Sequence, residues 1–515
     1  MRNKFLYWVV FLGIFFGLQN AANASWSNHL RTNFLNHSAI IYTVNIRTFN
    51  ADDKNGNDII EIEKGETSGN FVNATERLEE LKNKGITALH LLPITPVGKM
   101  KALGTAGSLY SASGFKSINP QLKDNSSDLT IEEQVKNFIK AAHEKGIAII
   151  VDVPACGSYD LFLQRPELFV KDPSGQPIIP SDWTDVRLLD AGDENKINKE
   201  VLRVYEEFVD YMISLGVDGI RADVAHCKPA KFWKELIEYS RKKDSEFLWL
   251  AESSDSWKDA VSKEAVYTPY DKLLKAGFDG FYGSFFNLKN WQTSKELESQ
   301  VSKVLTLDKV FGEKKSVIGS FTTHDELSPI LLKGQMLSDM IVWLNATLPV
   351  NSYFVDGFDT GDNYLYKWEN KKASKTYTDD DFYFVHRGKI DIFNFSRKPG
   401  GQNYLLEEDF VRANKFKKYV LNTEQNGQFK FLKTGEPSIF AYVITNKQNT
   451  IFVIGNLNFE KNYENLKIKI PKIDIKNDIQ PIKLYNAPKI NKGYFVLNLF
   501  PGEIQVYYIN EFSLI

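Results

Sequence analysis

The sequence predicts an α/β fold. It reads as a (β/α)8 TIM barrel with a short excursion after its third strand and a C-terminal all-β sandwich domain. Three observations predict this. From Ile40 to about Phe358, short apolar runs alternate with amphipathic helical segments. Eight such runs occur, the number that closes a barrel of this kind. From about Asn403 the texture changes to short β-rich runs separated by Gly, Pro and Asn.

The elements follow in order. Residues 40–46 read as a first strand and 86–92 as a second, with a helix carrying Leu78 and Leu81 between them and Gly85 as its stop. Ile131, Val135, Phe138, Ile139 and Ala142 fall on one helical face, and Gly146 is placed to cap that helix. Residues 147–153 are continuously apolar up to Asp152, as suits a strand buried on both faces. Val201, Tyr205, Phe208, Val209 and Met212 mark another helix. Strand candidates at 217–223, 247–252, 278–282, 317–321 and 351–355 complete the eight. The connection from Val153 to about Asn198 is long and carries Pro166, Pro173, Gly175, Pro177 and Pro180, with Trp183 and Asp190. Excursions of that length are usually functional, so 154–198 reads as a small subdomain inserted in a catalytic barrel of 25–402. The segment 359–402 is polar and aromatic and gives no clear element. In 403–515, runs at 438–445, 450–457, 466–470, 494–499 and 503–509 read as strands of a sandwich.

At 515 residues the chain exceeds one ordinary core. Its formal net charge of −2 gives no electrostatic reason to bind nucleic acid. Aromatic residues make up 13% of it, enough for a large core and for some platforms on which flat ligands stack. Arg2 and Lys4 precede an apolar run from Phe5 to Leu18, then Ala22-Asn23-Ala24. This is the pattern of a signal peptide over 1–24, cleaved after Ala24. It implies a secreted or periplasmic protein with no stable membrane association after cleavage. The two cysteines, Cys156 and Cys227, permit one disulfide in an exported chain.

Three short stretches end in an acidic residue where a barrel strand should meet solvent. They are Gly219-Ile220-Arg221-Ala222-Asp223, Leu248-Trp249-Leu250-Ala251-Glu252 and Phe321-Thr322-Thr323-His324-Asp325. Arg221 and Asp223 are two residues apart on one strand and so point to one face. Three carboxylates with a cation and an imidazole supply a nucleophile, a proton donor and a group to steady a cationic transition state, as cleavage of a glycosidic bond requires. Taken singly, each acid reads better as a strand-end ion pair or cap; the three together in order do not.

These segments, with Val224-Ala225-His226 extending the first, resemble the α-amylase superfamily, glycoside hydrolase family 13, over most of residues 40–510. The resemblance implies that Asp223 is the nucleophile, Glu252 the general acid and base, and Asp325 the transition-state stabiliser. It implies that Arg221, His324, Tyr110 and His226 bind substrate, with Tyr110 stacking on the sugar ring, and that Asp152 orients Arg221. For His226, packing beneath the subsite is an equal reading. Trp183, Trp249 and Trp257 are further stacking candidates, with Trp249 better suited to the core. The implied partner is an oligo- or polysaccharide, and no cofactor is implied.

The chain departs from the family after Asp152. Cys156 and Gly157 stand where the family carries an Asn that binds a structural calcium and a His that holds the sugar. The departure counts against that calcium and that sugar contact. Cys156 follows Asp152 by four residues, as Cys227 follows Asp223. On adjacent strands of the implied barrel they would lie side by side, and a Cys156–Cys227 disulfide is expected to pin the excursion. Three activities fit the resemblance: hydrolysis of α-glucans or maltooligosaccharides with retention, transfer of a maltosyl or glucosyl unit, and catalytically inactive carbohydrate binding. Retention of all three acids weighs against the last.

Overall fold

In a computed structural model of the chain, the described residues are 26–52, 54, 62–102, 107–180, 183–361, 404–425, 427–469, 479–482, 488–491 and 493–510. The expected signal peptide, 1–24, lies outside them, as does nearly all of 359–402.

Eight parallel strands build the barrel. They are β1 (Ile40–Val44), β2 (Ala88–Leu91), β3 (Ala148–Val153), β6 (Gly219–Ala222), β7 (Leu248–Ala251), β8 (Gly280–Phe281), β9 (Ser316–Val317) and β10 (Ser352–Val355). The order is β10-β1-β2-β3-β6-β7-β8-β9, and a parallel bridge between Ile318 and Asn351 joins the two ends. Two further strands, β4 (Cys156–Gly157) and β5 (Arg187–Leu188), pair antiparallel in the excursion.

The helices form where the sequence supplies both an apolar face and a stop. Ile131–Glu144 starts on a capping box, in which Thr130 Oγ1 accepts from the Glu133 amide and Glu133 answers the Thr130 amide. It buries Val135, Phe138, Ile139 and Ala142. Lys199–Leu215 is capped by Asn198 and ends at Gly216, whose φ of 100° suits a residue without Cβ.

The barrel has an inner and an outer core. Outside, the strands pack on the helices; inside, Ile41, Ala148, Ile150, Leu248, Leu250 and Tyr353 meet Leu30 and Phe34 of the helix Leu30–Leu35, which stops one end. Gly280 makes room for that plug. A Cβ there would stand 2.5 Å from Ser316 O and 2.6 Å from Phe34 Cε1.

The C-terminal part is a sandwich of two antiparallel sheets. One runs β11 (Gln428–Phe431), β12 (Ile439–Thr445), β13 (Asn449–Asn456), β18 (Ile504–Asn510) and β15 (Ile479–Pro481); the other runs β14 (Tyr463–Lys469), β17 (Tyr494–Leu499) and β16 (Lys489–Asn491). Phe452, Ile454, Ile468, Phe495 and Tyr507 belong to the core between them. The stretch expected to be β-rich from about Asn403 begins instead with a long helix, Tyr404–Glu424, packed on the barrel helix Pro329–Thr347. Leu406, Phe410, Ala413 and Val420 are its buried apolar positions. Among the described residues no helix is long and apolar enough to cross a membrane.

Candidate active site

Strand register sets the site. Asp152 pairs with Arg221, Val153 with Ala222, and Ala222 with Ala251. Asp223 and Glu252 each follow the last residue of adjacent strands, so they emerge level at one end of the barrel. Asp325 comes from the loop after β9 rather than from the strand's last residue, because β9 ends at Val317 and 320–325 run as turns. All three acids line one cavity of about 270 Å³, together with Trp183, Trp257, Tyr282, Phe286 and His226.

Arg221 organises the acids. It is fully buried, and its Nη1 reaches Asp152 Oδ1 at 2.8 Å and Asp223 Oδ1 at 3.1 Å. Its Nη2 lies 2.7 Å from Glu252 Oε1, and its Nε donates to Tyr282 Oη at 3.0 Å. One guanidinium thus touches both members of the expected catalytic pair. The outer oxygens are held by main chain: Ala155 N donates to Asp223 Oδ2 at 3.1 Å, and Val224 N donates to Glu252 Oε2 at 2.6 Å. Val224 has a φ of 32°, a left-handed conformation costly for a β-branched residue. The strain sits directly after Asp223.

Charge and burial divide the carboxylates. Burial raises Glu252 to about 8, assisted by Asp223 and Asp325 and opposed by Arg221. Burial would also raise Asp152, but Arg221, His90 and His324 outweigh it and hold that carboxyl below its ordinary value. Asp152 therefore stays an anion and orients the guanidinium. Burial lowers His324 and His226 to about 4 each, so both rings are neutral near pH 7.

The other expected residues fall around this centre. His324, 1% exposed, stands behind the cavity wall, with Nε2 2.8 Å from Tyr110 Oη and 3.5 Å from Asp325 Oδ2. Tyr110 donates to Asp152 Oδ2 at 2.6 Å and lies parallel to the His324 ring. It borders a second, much smaller cavity of about 20 Å³ beside Asp223, with Cys156, Trp183 and Asp185. His226 packs against Trp257, ring centres 5.0 Å apart. Trp183 and Trp257 reach the main cavity, whereas Trp249 is buried and spends its indole N–H on Ser240 Oγ. Sequence reasoning missed Tyr282, Phe286, Val224 and Glu326. Tyr282 was within sight, as the last residue of a strand candidate; Val224 and Glu326 lie in turns and Phe286 in the short 3-10 helix Phe285–Asn290, where residue type alone carries little signal.

The expected disulfide does not form. Both cysteines are free and buried. They share an apolar cluster with Ala155, Val186, Leu188 and Val224, but Cys156 is fixed by pairing with Leu188, and the Cys227 sulfur accepts the Val261 amide at 3.4 Å. The excursion is tied to the end of β6 by a buried ammonium instead: Lys228 Nζ donates to Ala155 O at 2.8 Å. Among the described residues one acidic trio, Glu80, Asp359 and Glu407, is close enough to hold a metal ion, and the Lys84 ammonium already contacts all three.

Paired carboxylates sharing a guanidinium at the mouth of a (β/α)8 barrel are the apparatus of an enzyme acting on glycosidic bonds. No family model matches the chain. Over 466 residues it is 25% identical to an α-1,4-glucan:maltose-1-phosphate maltosyltransferase of Picrophilus torridus, covering 85% of this chain and 67% of that protein. It is also 25% identical to α-amylase 3 of Dictyoglomus thermophilum, covering 85% of this chain and 88% of that protein. Among solved structures it resembles an α-amylase of Lactobacillus plantarum, with a TM-score of 0.66 at 20% identity over 92% of this chain and 99% of that one. It also resembles an α-amylase of Geobacillus thermoleovorans complexed with acarbose, with a TM-score of 0.65 at 17% identity over 93% and 99%. The chain is similar in sequence to enzymes of the α-amylase superfamily over most of its length and shares the fold of solved α-amylases.

Proposed function

We propose that the enzyme hydrolyses α-glucosidic bonds in α-glucans or maltooligosaccharides with retention, through a covalent glycosyl-enzyme. Asp223 attacks the anomeric carbon, and the leaving oxygen takes the Glu252 proton. Glu252 then removes a proton from water, which attacks the same carbon and releases Asp223. Asp325 binds sugar hydroxyls as positive charge develops on the ring, with His324 and Tyr110 behind it. His226 and Trp257 shape the side on which the leaving group departs. One observation carries the reading. Glu252, raised to about 8, retains its proton near neutrality, while Asp223 beside it is held by a guanidinium and a backbone N–H.

Transfer of a glycosyl unit to a sugar or phosphate is the second reading, favoured by the likeness to the Picrophilus torridus maltosyltransferase. The two share every step up to the covalent intermediate. Incubation with maltoheptaose, with products followed by chromatography, separates them. Shorter products alone mean hydrolysis, and longer ones mean transfer. No change, with or without inorganic phosphate, rejects both.

We also propose export with cleavage after Ala24. Trp26, two residues on, stacks on His143 and donates to Asp218 Oδ1, so the chain is already packed on the barrel two residues past that point. N-terminal sequencing of protein recovered from the medium or periplasm tests this.

A further inference from the structure

We infer that Lys228 is a positioning residue for the attacking carboxylate: its buried ammonium anchors the Ala155 carbonyl, and the N–H of the same residue holds the outer oxygen of Asp223. The inference rests on the reading of Asp223 as nucleophile and adds a residue to which nothing above gives a role in the reaction.

The chain of contacts is short. Lys228 is 0% exposed. Its Nζ donates to Ala155 O at 2.8 Å, and Ala155 N donates to Asp223 Oδ2 at 3.1 Å. The other Asp223 oxygen belongs to Arg221. The carboxylate is therefore held at both ends, by a guanidinium on its own strand and by a peptide from the neighbouring one. Lys228 itself is held by its main chain, since its carbonyl accepts from Thr268 Oγ1 at 2.8 Å and its N–H donates to Ala225 O at 3.3 Å. Tyr205 secures the peptide that carries this N–H: its hydroxyl donates to Pro154 O at 2.7 Å, and its ring lies 5.4 Å from the ammonium.

This is a costly way to hold a loop. A buried cation without an ion-pair partner carries a desolvation penalty of several kcal/mol. Burial pushes the ammonium below its ordinary value, while the Asp223 and Asp190 carboxylates favour its charged form. A methionine would fill the space without that penalty. What it would lose is the cation that anchors the Ala155 carbonyl, and with it the placing of the Ala155 N–H on Asp223. A packing role and a positioning role therefore separate: the first predicts lost stability, the second lost turnover.

The test compares K228M and K228Q with the wild type by thermal unfolding, kcat, KM and the pH profile, on whichever α-glucan substrate the wild type turns over. D223N serves as an independent control. K228M is expected to melt within a few degrees of the wild type, with kcat reduced roughly tenfold to a hundredfold and KM within about twofold, the size of one hydrogen bond to a charged group. The acid limb of kcat/KM, set by Asp223, should move to higher pH. K228Q, whose amide still donates to Ala155 O, should regain part of kcat. A folded K228M with kcat within about twofold of wild type and an unmoved acid limb would overturn the proposal. So would failure of both variants to fold, which assigns Lys228 to the fold alone. Activity retained in D223N would instead sink the nucleophile assignment, whatever the Lys228 variants do.

Discussion

Arg221 Nη2 lies 2.7 Å from a Glu252 oxygen, yet Glu252 is a weak acid, raised to about 8. Burial and the flanking Asp223 and Asp325 outweigh the guanidinium. Activity should therefore fall as pH rises through about 8, as Glu252 loses the proton the leaving group needs. E252Q should lose most turnover on oligosaccharides. It should keep the first step with a glycosyl fluoride, whose leaving group needs no proton. A burst of fluoride at near wild-type rate checks this.

The same proton links pH to stability. Between the ordinary value of 4.5 and about 8, the native state holds a proton that the unfolded chain has lost. The stabilisation is complete below 4.5 and lost as pH rises through about 8. E252Q removes this dependence. Its advantage over the wild type in thermal unfolding should grow from pH 5 to pH 8, reaching roughly 2–4 kcal/mol. An advantage that does not change with pH would contradict the raised acid.

Arg221 cannot be replaced by lysine without loss, because its contacts need a fork. It touches Asp152, Asp223, Glu252 and Tyr282 through three nitrogens. R221K, which keeps the charge, should still lower kcat by roughly a hundredfold or more with a smaller effect on KM. Steady-state kinetics against a defined maltooligosaccharide decide it. A kcat within tenfold of wild type would mean that charge alone suffices.

Much of this was legible in sequence. The eight apolar runs foretell the barrel because a parallel strand buried on both faces must be apolar throughout, and all six residues of β3 are buried. Asp223 and Glu252 stood out because each ends such a run. The helix Tyr404–Glu424 was missed although Leu406, Phe410, Ala413 and Val420 recur at helical spacing; charged residues between them, and the β-rich runs beyond, obscured the period. The disulfide failed for a different reason. Equal spacing along neighbouring strands predicts proximity, which the shared apolar cluster bears out. It does not fix the direction of Cβ, which depends on the β4–β5 pairing and the 3-10 turn Ala225–Cys227. Lys228 had no sequence signal, because a lysine after a strand is ordinarily solvated.

The two thiols should be silent in the native enzyme. Burial raises both, Cys227 to about 12, and outweighs the Lys228 ammonium that favours each thiolate. A thiol reagent should find none in the folded protein and two after unfolding without reductant. The melting temperature should not respond to reductant. Zero thiols after unfolding would restore the disulfide.

Lys84 should prove one of the most sensitive positions for stability. Its Nζ contacts Asp359 Oδ2 at 2.5 Å, Glu407 Oε1 at 2.7 Å and Glu80 Oε1 at 2.8 Å. These acids come from the segment after β10, the helix Tyr404–Glu424 and the helix Leu78–Asn83, so one ammonium joins three elements. Burial raises Asp359, but Lys84 more than offsets this and holds it below its ordinary value. In K84M the three carboxylates would keep only Arg77, 3.6 Å from Glu80 Oε1, as a neighbouring cation, at a cost of roughly 3–5 kcal/mol. The wild-type contribution from Asp359 is present above the ordinary value of 3.8 and lost as pH falls through the depressed one. K84M should therefore lose its deficit on acidification. Because the three acids offer oxygens within 4.8 Å of one another, millimolar calcium should raise the melting temperature of K84M and leave the wild type unmoved. A K84M melting temperature equal to wild type at neutral pH would show that the cage adds nothing to the fold.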